Sequence, residues 1–448
     1  GININWEDGS PSDNDVVKFH QALYKYANSI GFNNFHMGLY TMSSSLSNYN
    51  SRYLFGDSNG RTADLMLNYG GWAMGTSVQE AKKALGTADG LYQGYWISGM
   101  NHSWSNLSAT QEIGICLWGE HKMSRFWQHN KGTDAFDAQK NYQYLLERAF
   151  SGGNRNPMNL PAVTNQGHNW EAQTPLSNFL GFATWIPERS TVQGKLPFVT
   201  NFNLGNGERY NYKGKKTAGS YYNMSSQDIV PTYRWLVCDE GTTTASSAIE
   251  VGFSHKDSYI GGSCLELKGD ATKATDIVLY RTELTPNSGN VYAKVALKYA
   301  DTDTKHSNLY VIVRLKNSQW KEYAVSDNTG TMWQEHKIDL TGISASDVID
   351  RIGLRVKGGE ANYDMYVGKL EINDDHKQTP ANIKDLSVDV KEETTSSMSL
   401  KLNWDVDATT GARAQYGMIF NDDANIDHFE ILYKNGENGK VSEIARTT

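Results

Sequence analysis

The periodicity of the apolar residues changes once along this chain, near residue 196, and the change limits what can fold on either side of it. Before it, short alternating stretches are separated by runs with three- and four-residue spacing. After it, only alternation and turn residues remain. Strand patterns at 1–7, 35–40, 63–69, 91–97, 113–118 and 178–185 have helix patterns between several of them. The first helix is predicted from Ser12, an N-cap with Asp15 three residues on, through Val16, Phe19, Leu23, Tyr26, Ala27 and Ile30 to Gly31. A second follows a capping box, Ser77 and Glu80, and closes at Gly86; a third covers about 134–150. Strands alternating with helices argue for βα units and a parallel sheet. About five or six strands are present where a closed (β/α)8 barrel needs eight, so the expected fold is the C-terminal part of a TIM barrel whose first strands lie upstream of Gly1.

Beyond residue 196, strand patterns at 264–268, 277–280, 291–299, 309–315, 333–340, 352–356 and 365–372 follow one another with turn signals between them. This is the signature of a jelly-roll β-sandwich. A polar linker at 374–380 precedes further strands at 383–390, 398–404 and 428–433, read as a partial immunoglobulin/fibronectin-like sandwich. The expected domains are therefore 1–195, a partial TIM barrel; 196–376, a β-sandwich like a carbohydrate-binding module; and 380–448, a partial fibronectin type III or immunoglobulin-like domain. Both ends fall inside strand patterns, so the chain reads as a piece of a longer protein.

Composition narrows the chemistry. The net charge is −8 with no basic block, which argues against nucleic acid. No apolar run approaches the roughly 20 residues of a membrane span. Three cysteines, Cys116, Cys238 and Cys264, are too few for a disulfide framework or a zinc site, and read as inert thiols, although Cys238 and Cys264 share a segment and could pair. No metal and no cofactor is expected. The 25 Tyr and 12 Trp, set among Asn, Ser, Thr and Gly, suit sugar binding as well as core packing. In the sandwich segment no compact aromatic strip or Asp cluster stands out; binding carbohydrate, binding calcium and bracing the barrel are its open roles, with bracing the first expected.

One constellation looks like chemistry. In Gly1-Ile2-Asn3-Ile4-Asn5-Trp6-Glu7, period-two alternation puts Asn3, Asn5 and Glu7 on one face and Ile2, Ile4 and Trp6 on the other. A polar face at the C-terminal end of a barrel strand faces the mouth where barrel active sites sit. A plain edge strand meeting water has the same pattern, but the loop that follows at Asp8-Gly9-Ser10-Pro11 suits the barrel position.

This strand resembles the catalytic strand of glycoside hydrolase family 85, the endo-β-N-acetylglucosaminidases, whose signature is Asn-x-Glu at the end of the fourth barrel strand. Gly181-Phe182-Ala183 through Arg189, Phe198-Val199-Thr200-Asn201-Phe202-Asn203-Leu204-Gly205-Asn206-Gly207 and Ile229-Val230-Pro231-Thr232-Tyr233-Arg234-Trp235 are similar to later stretches of that family, so the resemblance covers most of the chain. It implies cleavage of the N,N'-diacetylchitobiose core of N-linked glycans with retention, the substrate's own acetamide supplying the nucleophile. It implies Glu7 as acid and base and Asn5 as the group that holds the acetamide. Tyr40 is similar to the family's mouth tyrosine. Tyr69, Trp72 and Trp118 fall near aromatic positions, where packing and sugar stacking both remain open. Asn3 and Asn5 stand where the rival family 18 has the two Asp of D-x-D-x-E; two substitutions favour family 85. The implied partners are N-linked glycans and glycoproteins, the implied setting is secreted or cell-surface, and the implied state is a monomer. A glycan-binding protein with an inactive barrel is the alternative from another class.

Overall fold

The computed structural model describes residues 1–5, 12–47, 52–68, 73–96, 112–118, 134–136, 192–223, 226–231, 236–377, 382–406 and 428–447. Among these the chain is mostly β-strand with few helices. It divides into two compact units: Gly1–Arg189 with Thr232–Leu236 and Thr243–Ala245, and Ser190–Pro231 with Val237–Thr242 and Ser246–Thr448.

The first unit is built on a five-stranded parallel sheet, Ile2–Asn5, Met37–Thr41, Asp64–Leu67, Leu91–Trp96 and Gly114–Trp118, whose spatial order is the chain order. Sequence neighbours are spatial neighbours throughout, so the sheet winds one way only. As right-handed crossovers require, the described connecting helices pack on the same face. That face carries the core: Met37, Leu39, Leu65, Leu67 and Leu91 pack with Val16, Leu54, Phe55, Met74, Val78 and Ala81. The strand ends lie within one or two residues of the predicted ones. The strand expected at 178–185 and all but 134–136 of the third helix lie outside the described residues.

Two helix details differ from expectation. The first helix, Asp13–Ser29, is capped by Ser12 as predicted, its Oγ accepting from the Asp15 N–H at 3.3 Å and donating to the Asp15 carboxylate. Its buried stripe, however, is Val16, His20 and Ala27, with Leu23 and Tyr24 partly buried; Phe19, Tyr26 and Ile30 are exposed. His20 fits because its Nδ1 meets the Thr62 carbonyl at 3.3 Å. The second helix runs Met74–Leu85, so Ser77 and Glu80 are not a capping box. Ser77 lies in the first turn and its Oγ accepts from the Leu46 N–H at 3.0 Å, while Glu80 pairs with Lys83. A long-range bond to a loop outcompeted the local one. Gly86 ends the helix with φ 76°, as a left-handed cap should.

The second unit holds two six-stranded sheets. One has the order Leu236–Asp239, Thr275–Thr285, Ile349–Val356, Leu309–Leu315, Trp320–Ala324, with Val192–Lys195 added on Thr275–Thr285. The other has Ile249–Ser254, Cys264–Gly269, Tyr363–Asn373, Tyr292–Tyr299, Gln334–Asp339, with Phe198–Thr200 added on Tyr363–Asn373. Their inner residues alternate along each strand, Leu265, Leu267, Val295, Val311, Val313, Leu354 and Val367 all being buried. Phe198 and Tyr280 meet edge to face across the core, centroids 4.9 Å apart. A buried pair, Arg355 and Asp276, ties adjacent strands through two parallel N–H···O bonds, one of 2.9 Å, with Glu322 and Glu240 alongside.

This unit also holds two small sheets, Asn206–Gly207 with Tyr221–Tyr222 and Lys215–Ala218 with Tyr210–Tyr212 and Ile260–Gly261, and two hairpins. Ile383–Glu393 with Met398–Val406 lies largely exposed. Phe429–Lys434 with Val441–Thr447 is anchored instead: the buried Glu443 carboxylate accepts from the Tyr210 hydroxyl and pairs with Arg446, whose guanidinium also lies 3.8 Å from Asp228. Asp228 in turn accepts from the Asn201 and Asn203 N–H groups at 2.8 and 3.2 Å. The three cysteines are free thiols, and burial pushes the Cys238 thiol up to about 11.

Candidate functional site

The polar row begins on the first strand. Asn3 and Asn5 are exposed while Ile4 packs partly against the helix-covered core. Ile2 was expected to pack there too but is 50% exposed, because its strand has a neighbour on one side only among the described residues. Parallel pairing sets Asn3 opposite Gly38 and Asn5 opposite Tyr40, on strands roughly 4.8 Å apart. Gly38 leaves room for the Asn3 side chain: a methyl group there would come within 2.7 Å of the Asn3 Oδ1. Any larger residue would push the Asn3 carboxamide off the face. Tyr40 beside them is 9% exposed, a phenol set into the sheet surface rather than waving above it.

The loops that leave these strands are fastened to one another. The Asn68 N–H donates to the Ser43 carbonyl at 2.9 Å and its side-chain amide to the Met42 carbonyl at 3.3 Å. Gln93, fully buried on the helix-side face, donates to the Asn68 carbonyl and, at 3.3 Å, to that of Gly94. The Ser43 hydroxyl donates to the Ser45 carbonyl, and Leu46 is held by Ser77. Polar side chains thus replace an apolar core at the C-terminal ends of three strands, and they fix the segments following Tyr40 and Leu67.

Across the sheet the row Asn5–Tyr40 continues through Met66 and Tyr92 to Gly114. Tyr92 lays its ring over Gly114, where a Cβ would stand 2.3 Å from the ring. Burial, with smaller contributions from Asp64 and Cys116, raises the Tyr92 phenol, which therefore stays protonated. Toward the N-terminal ends, Asp64 pairs with Arg61 at 3.2 Å and His36 at 3.3 Å. Charge on this face is neutralised in pairs at the bottom, and the Asn5–Tyr40 end is uncharged among the described residues. Gly38, Met66, Tyr92 and Gly114 were missed from sequence, although strand alternation alone assigns them to the Asn5 face once the register is known.

Of the residues singled out from sequence, Asn3, Asn5 and Tyr40 come together on adjacent strands. Glu7, Tyr69 and Trp72 lie outside the described residues. Trp118 ends the fifth strand in register with Trp96, at the opposite end of the sheet from Asn5. Among the described residues no group of three or more His, Cys, Asp or Glu is arranged to hold a metal ion. No described helix is long and apolar enough to cross a membrane.

No family model matches the chain, and no curated protein matches it. Among solved structures it resembles the glycoside hydrolase domain of Endo-D from Streptococcus pneumoniae R6, with a TM-score of 0.65 and 18% identity over 97% of this chain. The chain spans 66% of the length of that domain. The likeness bears out, as a likeness of fold, the resemblance to family 85 carried by the first strand and the later motifs. A xylan-binding domain from Paenibacillus barcinonensis aligns with 31% of this chain and 92% of its own at 17% identity and a TM-score of 0.21. An adhesin domain of Lys-gingipain from Porphyromonas gingivalis W83 aligns with 40% and 99% at 10% identity and a TM-score of 0.27.

Proposed function

We propose that this chain is the greater part of an endo-β-N-acetylglucosaminidase that cleaves between the two core N-acetylglucosamines of N-linked glycans. The observation that carries the reading is the parallel strand presenting Asn3 and Asn5 beside Gly38 and Tyr40, in a chain whose fold matches a glycoside hydrolase domain over 97% of its length. On this reading the five one-way-wound parallel strands are the later part of a (β/α)8 barrel. Residues 1–195 carry the catalytic part, 196–376 a sandwich, and 380–448 part of a fibronectin-like module. The enzyme acts outside the cell or on its surface, as a monomer.

The chemistry needs no protein nucleophile. The 2-acetamido oxygen of the substrate attacks its own anomeric carbon, and the bond to the leaving sugar oxygen breaks as Glu7 protonates that oxygen. An oxazoline-type intermediate results. Water then attacks the anomeric carbon from the vacated side, Glu7 takes its proton, and the ring opens with configuration retained. Asn5 accepts from the acetamide N–H through its side-chain carbonyl, turning the acetamide oxygen toward the anomeric carbon and stabilising the developing imidate. Tyr40, set beside Asn5, bounds the same group. Asn3, one turn of the pleat below, keeps Asn5 company on the face and is placed by Gly38. Tyr69, Trp72 and Trp118 are assigned to sugar stacking around this centre.

The test is release of glycan from a high-mannose glycoprotein by the full-length protein. One N-acetylglucosamine should remain on each asparagine, and Glu7→Gln should remove the activity. Release that persists in that variant, or product lacking the residual sugar, would overturn the assignment.

A further inference from the structure

We propose that the second sheet of the sandwich carries a binding site for neutral oligosaccharides, separate from the site at Asn5 and independent of the reading given to it. Four aromatic residues far apart in sequence, Tyr212, Tyr259, Trp333 and Tyr366, converge on the outward side of this sheet. Across its strands, Glu266, Tyr366 and Lys298 stand in one row, and Glu335, Ala296 and Lys369 in the next. Their sequence neighbours Leu265, Leu267, Leu297 and Val367 point into the core.

Trp333 is half-buried and its orientation is over-determined. The benzo edge of the indole rests on Gly368, where a Cβ would stand 2.7 Å from it, and the pyrrole edge abuts Gly214, a turn residue with φ +74°. The indole N–H donates to Asp257 at 3.2 Å, and Asp257 is itself held by Lys298. Trp333 and Tyr366 are close to parallel, 29° apart with centroids separated by 6.5 Å, while Tyr259 tilts against the indole at 5.8 Å. Two glycines clearing room for one indole give a flat ring held at the sheet surface, the shape that the C–H face of a pyranose stacks on.

The rim selects the ligand class. Lys298 pairs with Asp257, Lys256 with Glu266 and Lys369 with Glu335. With Glu371, which Lys369 shares with Lys294, four ammonium groups and four carboxylates cancel, so an anionic or cationic ligand would gain no net charge here. A polyhydroxylated neutral ligand gains both ways, each hydroxyl donating to a carboxylate and accepting from an ammonium. Tyr259 and Tyr366 are themselves buried and serve as the bed on which the indole lies.

The experiment is calorimetric titration of the full chain carrying Glu7→Gln, which prevents turnover, with mannotriose, triacetylchitotriose and cellotriose, alongside a sialylated trisaccharide. At least one neutral trisaccharide should bind and quench tryptophan fluorescence. Trp333→Ala should weaken it by about tenfold or more, a loss of the size expected for a central aromatic contact. Trp333→Phe should keep most of the affinity, and Lys298→Met, which releases Asp257 and with it the indole, should lose part of it. Unchanged affinity in Trp333→Ala with an unchanged melting midpoint overturns the proposal. Should Trp333→Ala unfold, unchanged affinity in both Trp333→Phe and Lys298→Met does the same, as does binding of the sialylated probe alone. If wild-type protein releases no glycan while Trp333-dependent binding persists, the catalytic reading falls and this one stands.

Discussion

The parallel sheet and the sandwich finish their exposed faces in opposite ways. Among the described residues of the parallel sheet, the face away from the helices carries uncharged Asn5 and Tyr40 toward the C-terminal ends, while paired charges, Asp64 with Arg61 and His36, begin at the level of Asn3. The sandwich neutralises its charges in complete ion pairs, from the buried Arg355–Asp276 to the more exposed Lys369–Glu335. Interstrand ion pairs hold neighbouring strands in register and suit a surface whose task is to stay as it is. An uncharged carboxamide beside a set-in phenol offers hydrogen-bonding groups to a ligand without adding fixed charge. The contrast teaches where to look for chemistry: where polar groups share a face without being tied into ion pairs among the described residues.

That contrast can be broken by mutation. Glu7→Gln should lower glycan release by about three orders of magnitude or more, as loss of a general acid/base does, with the denaturation midpoint of the sandwich unmoved; a release assay beside urea unfolding reads both. Arg355→Met should do the converse. It strands Asp276 in a buried site and should cost the second unit about 3–5 kcal/mol, with kcat at the first unit unchanged, and a fall in kcat at full folding would show that the two faces are not separable as described. Asn5→Ala should slow hydrolysis by about 10²-fold, the loss expected for one transition-state hydrogen bond, while transfer from a preformed sugar oxazoline is spared because the assisted step is already complete. Equal loss with both donors would remove Asn5 from its role. Ser12→Ala is the smallest, about 1 kcal/mol from the first unit through loss of a helix cap, measurable as a shift in thermal midpoint.

Acid should also separate the regions. Burial alone would raise the Asp374 carboxyl, but the N–H groups of His376, Asn287 and Ser288 overrule it and hold it below the usual carboxylate range. A lowered carboxyl contributes stability that is complete above its unfolded value and disappears as pH falls through the folded one. Unfolding of the sandwich between about pH 5 and 3 should therefore be less pH-dependent in Asp374→Asn than in the wild type, and an unchanged slope would show that Asp374 is not among the groups responsible.

Much of this was legible beforehand, for reasons that can be named. Most strands announced themselves by alternation, though Val192–Lys195, Leu236–Asp239, Ile249–Ser254 and Trp320–Ala324 were missed, and Ser12 and Gly86 marked helix ends because caps are local devices. Ser77 misled because its hydroxyl serves Leu46, 31 residues away, and no local rule anticipates that. Phe19 and Tyr26 misled for a related reason: three- and four-residue spacing defines two overlapping stripes, and His20, bonded to Thr62, decided which one turned inward. Tyr40 was singled out from its place on the strand next to Asn5 and from the family resemblance, and the register sets it opposite Asn5. Trp333 was passed over, since what gives it meaning is Gly368, Gly214 and Asp257, and these meet only after the sheets have formed. The Phe202 to Gly207 stretch was recognised as distinctive, and its distinctiveness is structural. The Asn203 amide oxygen accepts from Gly205, Tyr221 and Gly262, and its NH2 donates to Ser226, so one buried carboxamide ties four residues together inside the sandwich.

The partnership of Tyr210 with Glu443 spans 233 positions of sequence. During synthesis, Tyr210, Asp228 and the strands around them leave the ribosome well before Arg446 exists to balance them. At ordinary elongation rates of about 5–20 residues per second, that interval lasts on the order of ten seconds or more. For its duration the sandwich carries an acid, Asp228, whose basic counterpart has not yet been made, and the strand that brings Arg446 arrives after the strands it is anchored to.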